Sequence, residues 1–257
     1  MEMDIKKSVQ QQFGDNAEKY VTSRGHAKGA DLLKMVEIAE VEKNMSLLDI
    51  ATGGGHVANA FAPYVKEVVA LDLTPEILAA AERFIRSNGH TNVTFIEGDA
   101  ESLPFPDESF HVVTCRIAAH HFPNVQSFIK EAHRVLKPNG IFLLIDNVAP
   151  EKESFDRFYN DVEKKRDRSH FRAWKKSEWI QFLETAGFHT ESLFTFKKTF
   201  PFDSWCERMK LPNAEKEQLR NDLIQSTESV KRWLNIIQQN DNIVSFQGEA
   251  ILIKTKK

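Results

Sequence analysis

Residues 46–58 read SLLDIATGGGHVA, and no other stretch is as informative about the fold. A short apolar run ends in three consecutive glycines, Gly53 to Gly55, and helix-forming residues follow them. Glycine lets the backbone turn sharply and lets a ligand approach the main chain closely. The first turn of a helix also presents unpaired N–H groups. The stretch therefore predicts a strand, a tight turn and a helix that together bind a ligand.

Short apolar runs recur along the chain, and helical patterns separate most of them. The runs are β-branched or aromatic and bounded by Gly, Pro, Asn or Asp, which is typical of buried strands. We predict strands at 46–51, 67–73, 93–96, 110–115, 141–145, 191–202 and 246–253. Helices are predicted at 75–87, 125–136, 176–186 and 205–239, with Thr74 capping the first of them. This alternation predicts an α/β fold with a doubly wound, largely parallel sheet.

Length, charge and cysteine content limit the kinds of protein that this chain can be. The 257 residues suit one large domain, and a net charge of −3 gives no reason to expect a nucleic acid as partner. Two distant cysteines form neither a disulfide framework nor a zinc motif, so we expect no metal and a reducing compartment. No run approaches the roughly 18 apolar residues of a membrane span, and the N-terminus has no signal core. We therefore expect a soluble, cytoplasmic protein, and a homodimer is compatible with the sequence.

Carboxylates lie near the ends of the first two predicted strands and just after the third. Asp72 ends the second strand, where a carboxylate can accept hydrogen bonds from both hydroxyls of a ribose. Asp99 follows the third strand and can accept from the exocyclic amine of adenine. Asp49 precedes the glycines, where it would repel a pyrophosphate but attract the amino group and sulfonium of S-adenosylmethionine. These positions favour an adenosyl ligand without a pyrophosphate.

Three other interpretations stay open at this point. Gly53, Gly55 and Ala58 also satisfy the dinucleotide fingerprint, and Asp72 lies at the right distance for NAD. An NAD(P)-dependent oxidoreductase is therefore an alternative, although Asp49 counts against it. A non-catalytic module that binds S-adenosylmethionine is a second alternative, which a turnover assay would separate from an enzyme. The third is a tight turn with no ligand.

Taken together, the motifs resemble those of class I S-adenosylmethionine-dependent methyltransferases. LLDIATGGGH is similar to the first motif of that family and VVALDLTPEIL to the second. GDAESLPFPDESFHVVTCRIAAHHFPN is similar to the third and fourth, and EAHRVLKPNGIFLLID to the region of strand five. The resemblance spans roughly residues 10 to 200 and the last strand. Within the family, the chain resembles the branch of the ubiquinone/menaquinone C-methyltransferases, with a methyltransferase type 11 domain.

The resemblance implies a fold and a division of the chain. The expected fold is a Rossmann-like doubly wound sheet of seven strands, mostly parallel, whose last strand is antiparallel. We expect a single domain over residues 1–257. Its expected parts are an N-terminal arm at 1–30, a cofactor-binding core at 31–148, and helical lid insertions at 149–176 and 203–240.

The resemblance also implies S-adenosylmethionine as the cofactor, with S-adenosylhomocysteine as the product. The expected cofactor-binding residues are Tyr20, Asp49, Ala51, Gly53, Gly55, Asp72, Leu73, Asp99, Ala100 and Arg116. Tyr20 would belong to the arm that closes over the cofactor, and Arg116 would lie beneath it near the methyl group. The family usually has glycine where this chain has Ala51, a departure that could shift the methionyl end of the ligand.

Candidate catalytic residues follow the fourth and fifth strands. Methyl transfer is an in-line displacement, so the protein mainly aligns the reactants and excludes water, and a general base helps if the nucleophile carries a proton. His120, His121 and Asp146 are the candidate bases, with His26 of the arm as another. The adjacent histidines could instead cap the next helix or line the cofactor pocket. Their diverging side chains do not predict a metal site.

Local motifs and composition also bear on the acceptor. Cys115 lacks the preceding proline of the cytosine C5-methyltransferases, so we interpret it as a small buried residue. The Asp/Asn-Pro-Pro-aromatic motif of adenine and amide N-methyltransferases is also absent, which argues against methylation of DNA bases. Aromatic residues are dense in the two insertions. They suit a small planar or apolar acceptor, unless they simply form the core of the lid.

Overall fold

The computed structural model describes residues 2–14, 21, 29–240 and 242–257, and within them one sheet organises the chain. Its strands are β1 (Ser46–Ile50), β2 (Glu67–Asp72), β3 (Val93–Glu97), β4 (Phe110–Arg116), β5 (Leu136–Val148), β6 (His189–Pro201), β7 (Ile237–Gln239) and β8 (Asn242–Lys256). Their order is β3-β2-β1-β4-β5-β8-β6, and β7 pairs with β8. The chain therefore doubles back at β1, so helices cover both faces of the sheet.

The direction of the strands confirms the expected fold class. Strands β1 to β5 pair in parallel, and β8 is antiparallel to both β5 and β6. The predicted doubly wound sheet with an antiparallel last strand is therefore correct. The short strand β7, which forms a hairpin with β8, is an addition that the sequence patterns did not predict.

Helices alternate with the strands in the first half of the chain and cluster in the second half. They are α1 (Glu2–Gly14), α2 (Ala30–Ile38), α3 (His56–Phe61), α4 (Pro75–Ser87), α5 (Val125–Val135), α6 (Glu153–Arg166), α7 (Lys176–Thr185), α8 (Phe202–Glu207), α9 (Asn213–Ile224) and α10 (Glu228–Trp233). Across the described ranges, none of these helices is long and apolar enough to cross a membrane.

The continuous helix predicted at 205–239 is wrong. Helices α8, α9 and α10 and strand β7 occupy this segment instead. Pro212 sits at the N-cap of α9 and cannot continue a preceding helix, because proline lacks the N–H group that a helix interior requires. Thr227 begins α10, and its hydroxyl accepts from the N–H of Val230 at 3.3 Å. These two residues therefore divide the segment where helical periodicity alone did not.

The start of α4 also differs from the prediction. Thr74 occupies the N-cap with Pro75 in the first turn, as expected, but its side chain makes no capping hydrogen bond. The backbone N–H of Thr74 donates instead to Asp72 Oδ1 at 3.0 Å. The residue therefore orients a carboxylate at the end of β2 in addition to starting the helix.

Two apolar cores lie on opposite faces of the sheet. Adjacent residues of β1 belong to different cores, because successive side chains of a strand point to opposite faces. Leu47 packs with α2, α3 and α4 on one face, and Leu48 packs with α5 and α7 on the other. Both faces of the central strands are thereby covered, so their ligand-binding groups must lie at the strand ends.

A third core joins α6, α8, α9 and α10 to the ends of β6 and β8. It contains most of the aromatic residues of the two insertions, and Tyr159, Phe202, Trp205 and Phe246 are all at most 1% exposed. Burial of this much apolar surface stabilises the packing of the two helical segments against each other. The aromatic density is thus largely the core of this segment, the second of the two interpretations that the sequence left open.

Candidate cofactor and active site

A cavity opens at the carboxyl edge of β1 to β4, where parallel strands of this kind of sheet bind their ligands. The predicted cofactor-binding residues that line it are Asp49, Ala51, Gly53, Asp72, Leu73, Asp99, Ala100 and Arg116. Other lining residues were not predicted, among them Lys6, Val9, Thr52, His56, Glu101, Ile117, Phe122 and Pro123. Tyr20 and His26 lie outside the described residues.

Ala51, in the turn after β1, has a strained backbone conformation. Ala51 has a φ of 53°, in the left-handed region that favours glycine. An L-residue with a Cβ atom pays on the order of 1 kcal/mol there. A strained residue that lines a cavity is a recurrent feature of ligand-binding sites. The glycine usual in the family at this position would relieve the strain.

Gly55 does not line the cavity and has a packing role in the structure. Its φ is 78°, and a Cβ atom at this position would lie 2.8 Å from Ile85 Cδ1. Glycine is therefore required so that the start of α3 can approach α4. The expected contribution of Gly55 is to the shape of the loop, whereas Gly53 faces the cavity.

Asp49 is a buried carboxylate beneath the loop, with 1% exposure. It accepts hydrogen bonds from Thr52 Oγ1 at 2.6 Å and Thr114 Oγ1 at 2.8 Å. Burial raises the pKa of Asp49 to about 6, although both hydroxyls favour its charged form. The group is thus ionised near neutral pH and poorly hydrated, so a cationic ligand would interact with it strongly.

Asp72 is oriented by the backbone around it. Its carboxylate accepts from the N–H of Gly53 at 2.9 Å and from that of Thr74 at 3.0 Å. Burial raises the pKa of Asp72 to about 6, opposed by these hydrogen bonds. The carboxylate links the glycine turn to the start of α4 and lines the cavity, the position expected for a group that binds ribose hydroxyls.

Helix α1 covers the end of the cavity next to β3. Lys6 Nζ lies 2.6 Å from Asp99 Oδ2 and 2.5 Å from Glu101 Oε2. Burial opposes the charge of Lys6, but the two carboxylates outweigh it and raise the pKa of this ammonium group. Gln10 also donates to the carbonyl oxygen of Leu73 at 2.9 Å. The sequence offered no signal for these contacts, because they join elements far apart in the chain.

The end of β4 contributes a buried ion pair and a strained residue. Arg116 donates to Asp31 from Nε and Nη2, both at 3.1 Å. Ile117 has a φ of 56°, an outlier for a β-branched side chain, and its N–H donates to the carbonyl of Ile145 at 2.7 Å. Both Arg116 and Ile117 line the cavity. Asp31 was not predicted, since it lies in the first turn of α2, remote from every motif.

The two adjacent histidines have different environments. His120 does not line the cavity; its Nδ1 lies 2.6 Å from Asp146 Oδ1, and its backbone N–H donates to Asp146 Oδ2 at 2.8 Å. Burial opposes the charge of His120, but Asp146 outweighs it and raises the pKa of the imidazole. Asp146 is fully buried and does not line the cavity either. His120 and Asp146 therefore lie behind the residues that line the cavity.

His121 lines the cavity. Its Nδ1 lies 3.1 Å from the carbonyl oxygen of Ser169 and 3.2 Å from Ser169 Oγ, whose hydroxyl donates to Asp167 at 2.6 Å. A carbonyl oxygen can only accept, so Nδ1 carries the hydrogen and Nε2 carries the lone pair. Burial and the neighbouring His120 lower the pKa of His121 to about 4. At neutral pH this residue is an uncharged imidazole, and its Nε2 is a weak base.

Two other expectations concern cysteine and metal chemistry. Cys115 is fully buried, and burial raises the pKa of its thiol well above the usual value. A protonated, buried thiol is not a nucleophile, so the interpretation as a packing residue is confirmed. Across the described ranges, His, Cys, Asp and Glu side chains form no group that could hold a metal ion.

Comparison with known proteins places this site in a family. The model of the methyltransferase domain matches residues 48–144, from β1 through most of β5. An uncharacterized methyltransferase of Bacillus subtilis is 39% identical over 243 residues, which cover 94% of this chain and 96% of the relative. The chain belongs to the methyltransferase family.

Further relatives agree with this membership. The crystal structure of a candidate methyltransferase from Bacillus halodurans is 54% identical to this methyltransferase and superposes with a TM-score of 0.88, covering 89% of this chain and 99% of the other. A demethylmenaquinone methyltransferase of Chlorobaculum tepidum is 38% identical over 122 residues, 47% of this chain and 48% of that one. The similarity to the latter thus spans about half of each chain.

Proposed function

We propose that this methyltransferase binds S-adenosylmethionine in the cavity and transfers a methyl group to a small acceptor. The observation that carries the proposal is that three carboxylates, those of Asp49, Asp72 and Asp99, line the same cavity as the glycine turn. Asp72 would hold the ribose, and Asp99 the adenine amine. Asp49 would attract the cationic methionyl end, since a charge interacts strongly with a buried carboxylate.

The residues around the glycine turn suit S-adenosylmethionine better than NAD(P). A pyrophosphate at the glycine turn would lie against Asp49, which is buried, and its negative charge would be repelled there. The N–H of Gly53 already donates to Asp72 at 2.9 Å, so this donor is not directed at a phosphate. An oxidoreductase is for these reasons not favoured.

The reaction proposed is an in-line displacement. When bound, the cofactor supplies an activated methyl group. His121 accepts, through Nε2, the proton that the acceptor atom loses, and Ser169 keeps the ring in the required tautomer. His120 and Asp146 only position His121, because the hydrogen bond between them fixes the turn that carries it.

We also propose that the helical segments at 149–176 and 203–240 cover the reaction from water. In support, Gln12 of α1 donates to Asp167, which follows α6, at 2.8 Å. Helix α1, which covers one end of the cavity, is thereby linked to the segment at 149–176. Exclusion of water strengthens electrostatic interactions within the site. The acceptor would be small and planar or apolar; the names of the demethylmenaquinone methyltransferases support a planar acceptor by analogy.

Calorimetric titration tests the cofactor directly. We expect S-adenosylmethionine and S-adenosylhomocysteine to bind the purified protein with micromolar dissociation constants, and NADH not to bind. All three ligands contain adenosine, so a difference in affinity between NADH and the other two reports on the groups beyond the ribose. Binding of NADH alone would contradict the proposed cofactor and favour an oxidoreductase. Binding of both adenosyl ligands, with no methyl transfer to any compound of an acceptor screen, would favour the non-catalytic module.

The affinity for S-adenosylmethionine should depend on pH. Asp49 and Asp72, each with a pKa raised to about 6, are mostly protonated at about pH 5 and ionised at about pH 7. A cationic ligand binds the ionised forms, and each carboxylate is about tenfold more ionised at about pH 7 than at about pH 5, so we expect its dissociation constant to fall about 100-fold across this range. S-adenosylhomocysteine, which lacks the sulfonium charge, should show a shallower dependence. Equal pH dependence for the two ligands would contradict the role given to Asp49.

A further inference from the structure

The loop that follows α6 is polar and almost completely buried. Asp167, Ser169 and His170 are 2%, 0% and 3% exposed. Burying a polar group is unfavourable unless it is hydrogen-bonded, and burying a carboxylate costs still more. The loop lies next to His121, because Ser169 contacts that imidazole. The partners of these buried groups therefore bear directly on the candidate base.

Asp167 accepts three hydrogen bonds at one carboxylate oxygen. The backbone N–H of Ser169, the hydroxyl of Ser169 and the side-chain amide of Gln12 donate to Oδ1 at 2.9, 2.6 and 2.8 Å. Burial opposes the charge of Asp167, but the attraction of His121 and Arg166 and these hydrogen bonds outweigh it and lower the pKa of the carboxyl group. Asp167 is therefore an ionised carboxylate at neutral pH, and its orientation is fixed.

The hydroxyl of Ser169 connects this carboxylate to His121. Its hydrogen is donated to Asp167, so the lone pairs of Oγ are available to His121 Nδ1, which lies 3.2 Å away. The carbonyl oxygen of Ser169 lies 3.1 Å from the same nitrogen. The N–H group at Nδ1 thus has two acceptors on one residue, and one of them continues to a charged group. Such a chain is stronger than its neutral members alone, because each hydrogen bond polarises the next.

The charges around His121 act in opposite directions. Burial, and then the charge of His120, lower the pKa of His121. The carboxylates of Asp167 and Asp146 raise it. Asp146 already pairs with His120 at 2.6 Å, so these two groups offset much of each other's effect. His170 adds no charge near neutral pH, because burial lowers its pKa to about 2. Asp167 is therefore the main charge that favours protonation of His121.

We propose that Asp167 is a positioning residue for the methyl-transfer base: through the hydroxyl of Ser169 it fixes the ring of His121 and makes Nε2 more basic. The inference rests on the proposed function, which gives Asp167 no part in the reaction. Neither Asp167 nor Ser169 lines the cavity, so both act through His121. The proton that Nε2 takes from the acceptor stays on the ring, Nδ1 keeps its own, and Asp167 remains a carboxylate.

The arrangement is comparable to a catalytic triad in one respect. There, too, a buried carboxylate holds an imidazole in the required tautomer and stabilises the imidazolium that forms. The difference is that a hydroxyl lies between the carboxylate of Asp167 and the ring of His121. This hydroxyl passes on the orientation and the charge and does not itself react.

Nitrogen-15 NMR of the His121 ring tests the inference on the free protein, without cofactor or acceptor. The signal of His121 is the one that is lost in His121→Asn. In the wild type we expect the Nδ1–H tautomer at about pH 7, and about one-tenth protonation of Nε2 at about pH 5, as follows from a pKa of about 4. Asp167→Asn keeps the shape of the side chain and removes its charge. It should reduce the protonated fraction about tenfold.

Two further variants complete the NMR experiment. Ser169→Ala removes the hydroxyl but keeps Asp167 and the backbone carbonyl, so its protonated fraction should lie between those of the wild type and Asp167→Asn. Asp156→Asn is the matched control, because Asp156 is a carboxylate of α6 with 3% exposure that pairs with Arg172. It should leave the titration of His121 unchanged.

Three results of this experiment would overturn the inference. They are an Nε2–H tautomer in the wild type, equal protonated fractions in the wild type and Asp167→Asn, and an equal response to Asp156→Asn. If Asp167→Asn does not fold, Ser169→Ala decides the question, and a fraction equal to that of the wild type overturns the inference.

Turnover of an acceptor found by screening separates this role from a purely structural one. Asp167→Asn should lower kcat between about threefold and tenfold, because proton transfer follows the strength of the base, and should change the dissociation constant of S-adenosylhomocysteine by less than about twofold. In the His121→Asn background the same substitution should lower kcat no further, since residues that act as a unit are not additive. A further loss there would overturn the inference.

The two experiments also distinguish failure of the inference from failure of the proposed function. An unchanged kcat in His121→Asn, together with the expected NMR result, would defeat the proposed base and leave Asp167 with nothing to position. An NMR titration that does not respond to Asp167→Asn, together with a lowered kcat in His121→Asn, would defeat only this inference.

Discussion

Replacing Asp72 by alanine should weaken binding of S-adenosylhomocysteine about 100-fold, because two hydrogen bonds to a charged group are lost. In the free protein the carboxylate also accepts from Gly53 and Thr74, so the glycine turn loses an anchor together with the ribose. Isothermal titration at about pH 7 measures the effect, since the carboxylate is then ionised. S-adenosylhomocysteine is the better ligand here, as it undergoes no turnover.

Glu97→Ala is the matched control for Asp72→Ala. Glu97 pairs with Asp72 in the register of β2 and β3 but is exposed and does not line the cavity. We expect its removal to leave the dissociation constant unchanged within about twofold, as for a surface substitution away from a site. If Asp72→Ala bound the ligand as tightly as Glu97→Ala, the ribose assignment would be wrong. A lowered melting temperature in Asp72→Ala alone would indicate that the turn had unfolded.

His121→Asn should lower kcat for methyl transfer about 100-fold, near the lower end of the usual contribution of a general base. The low pKa of His121, about 4, makes it a weak base, which is the reason for choosing that end of the range. Asparagine can place an amide N–H close to the position of Nδ1, so it can keep the hydrogen bond to Ser169 while removing Nε2. The measurement is methyl transfer to an acceptor found by screening.

Cofactor binding separates catalysis from folding in this experiment. His121→Asn should bind S-adenosylhomocysteine within about threefold of the wild type, because the three carboxylates remain in place. His189→Ala, an exposed histidine at the start of β6, should behave like the wild type in both assays. An unchanged kcat in His121→Asn would mean that the acceptor needs no base from this residue. A loss confined to binding would make His121 part of the cofactor site.

Much of the cofactor end could be predicted from local patterns. Asp49, Gly53, Asp72 and Asp99 each follow or end a short apolar run, and parallel strands bring such ends to one edge of the sheet. The prediction needed only the strand positions and the direction of the chain. It did not require any side-chain contact, which is why the sequence alone could place these residues at one cavity.

Segments that depend on distant partners were predicted less well. Strand β7 lies in a stretch with helical periodicity, and it is extended because β8 supplies its hydrogen bonds. The aromatic residues of the insertions were as compatible with an acceptor pocket as with a core. Their burial in the third core became apparent only once α6, α8, α9 and α10 were packed together.

The sequence alone therefore established the strand–turn–helix unit, the order of the acidic strand ends and the family resemblance, because these are short-range or topological properties. The roles of His120 and His121 were left open, since adjacent residues are equivalent in a pattern but are directed to different partners, Asp146 and Ser169, by the fold. Lys6 and Asp31 carry no local signal at all. Each acquires its significance from charges on elements remote in the chain, and only the packing of those elements brings them within electrostatic reach.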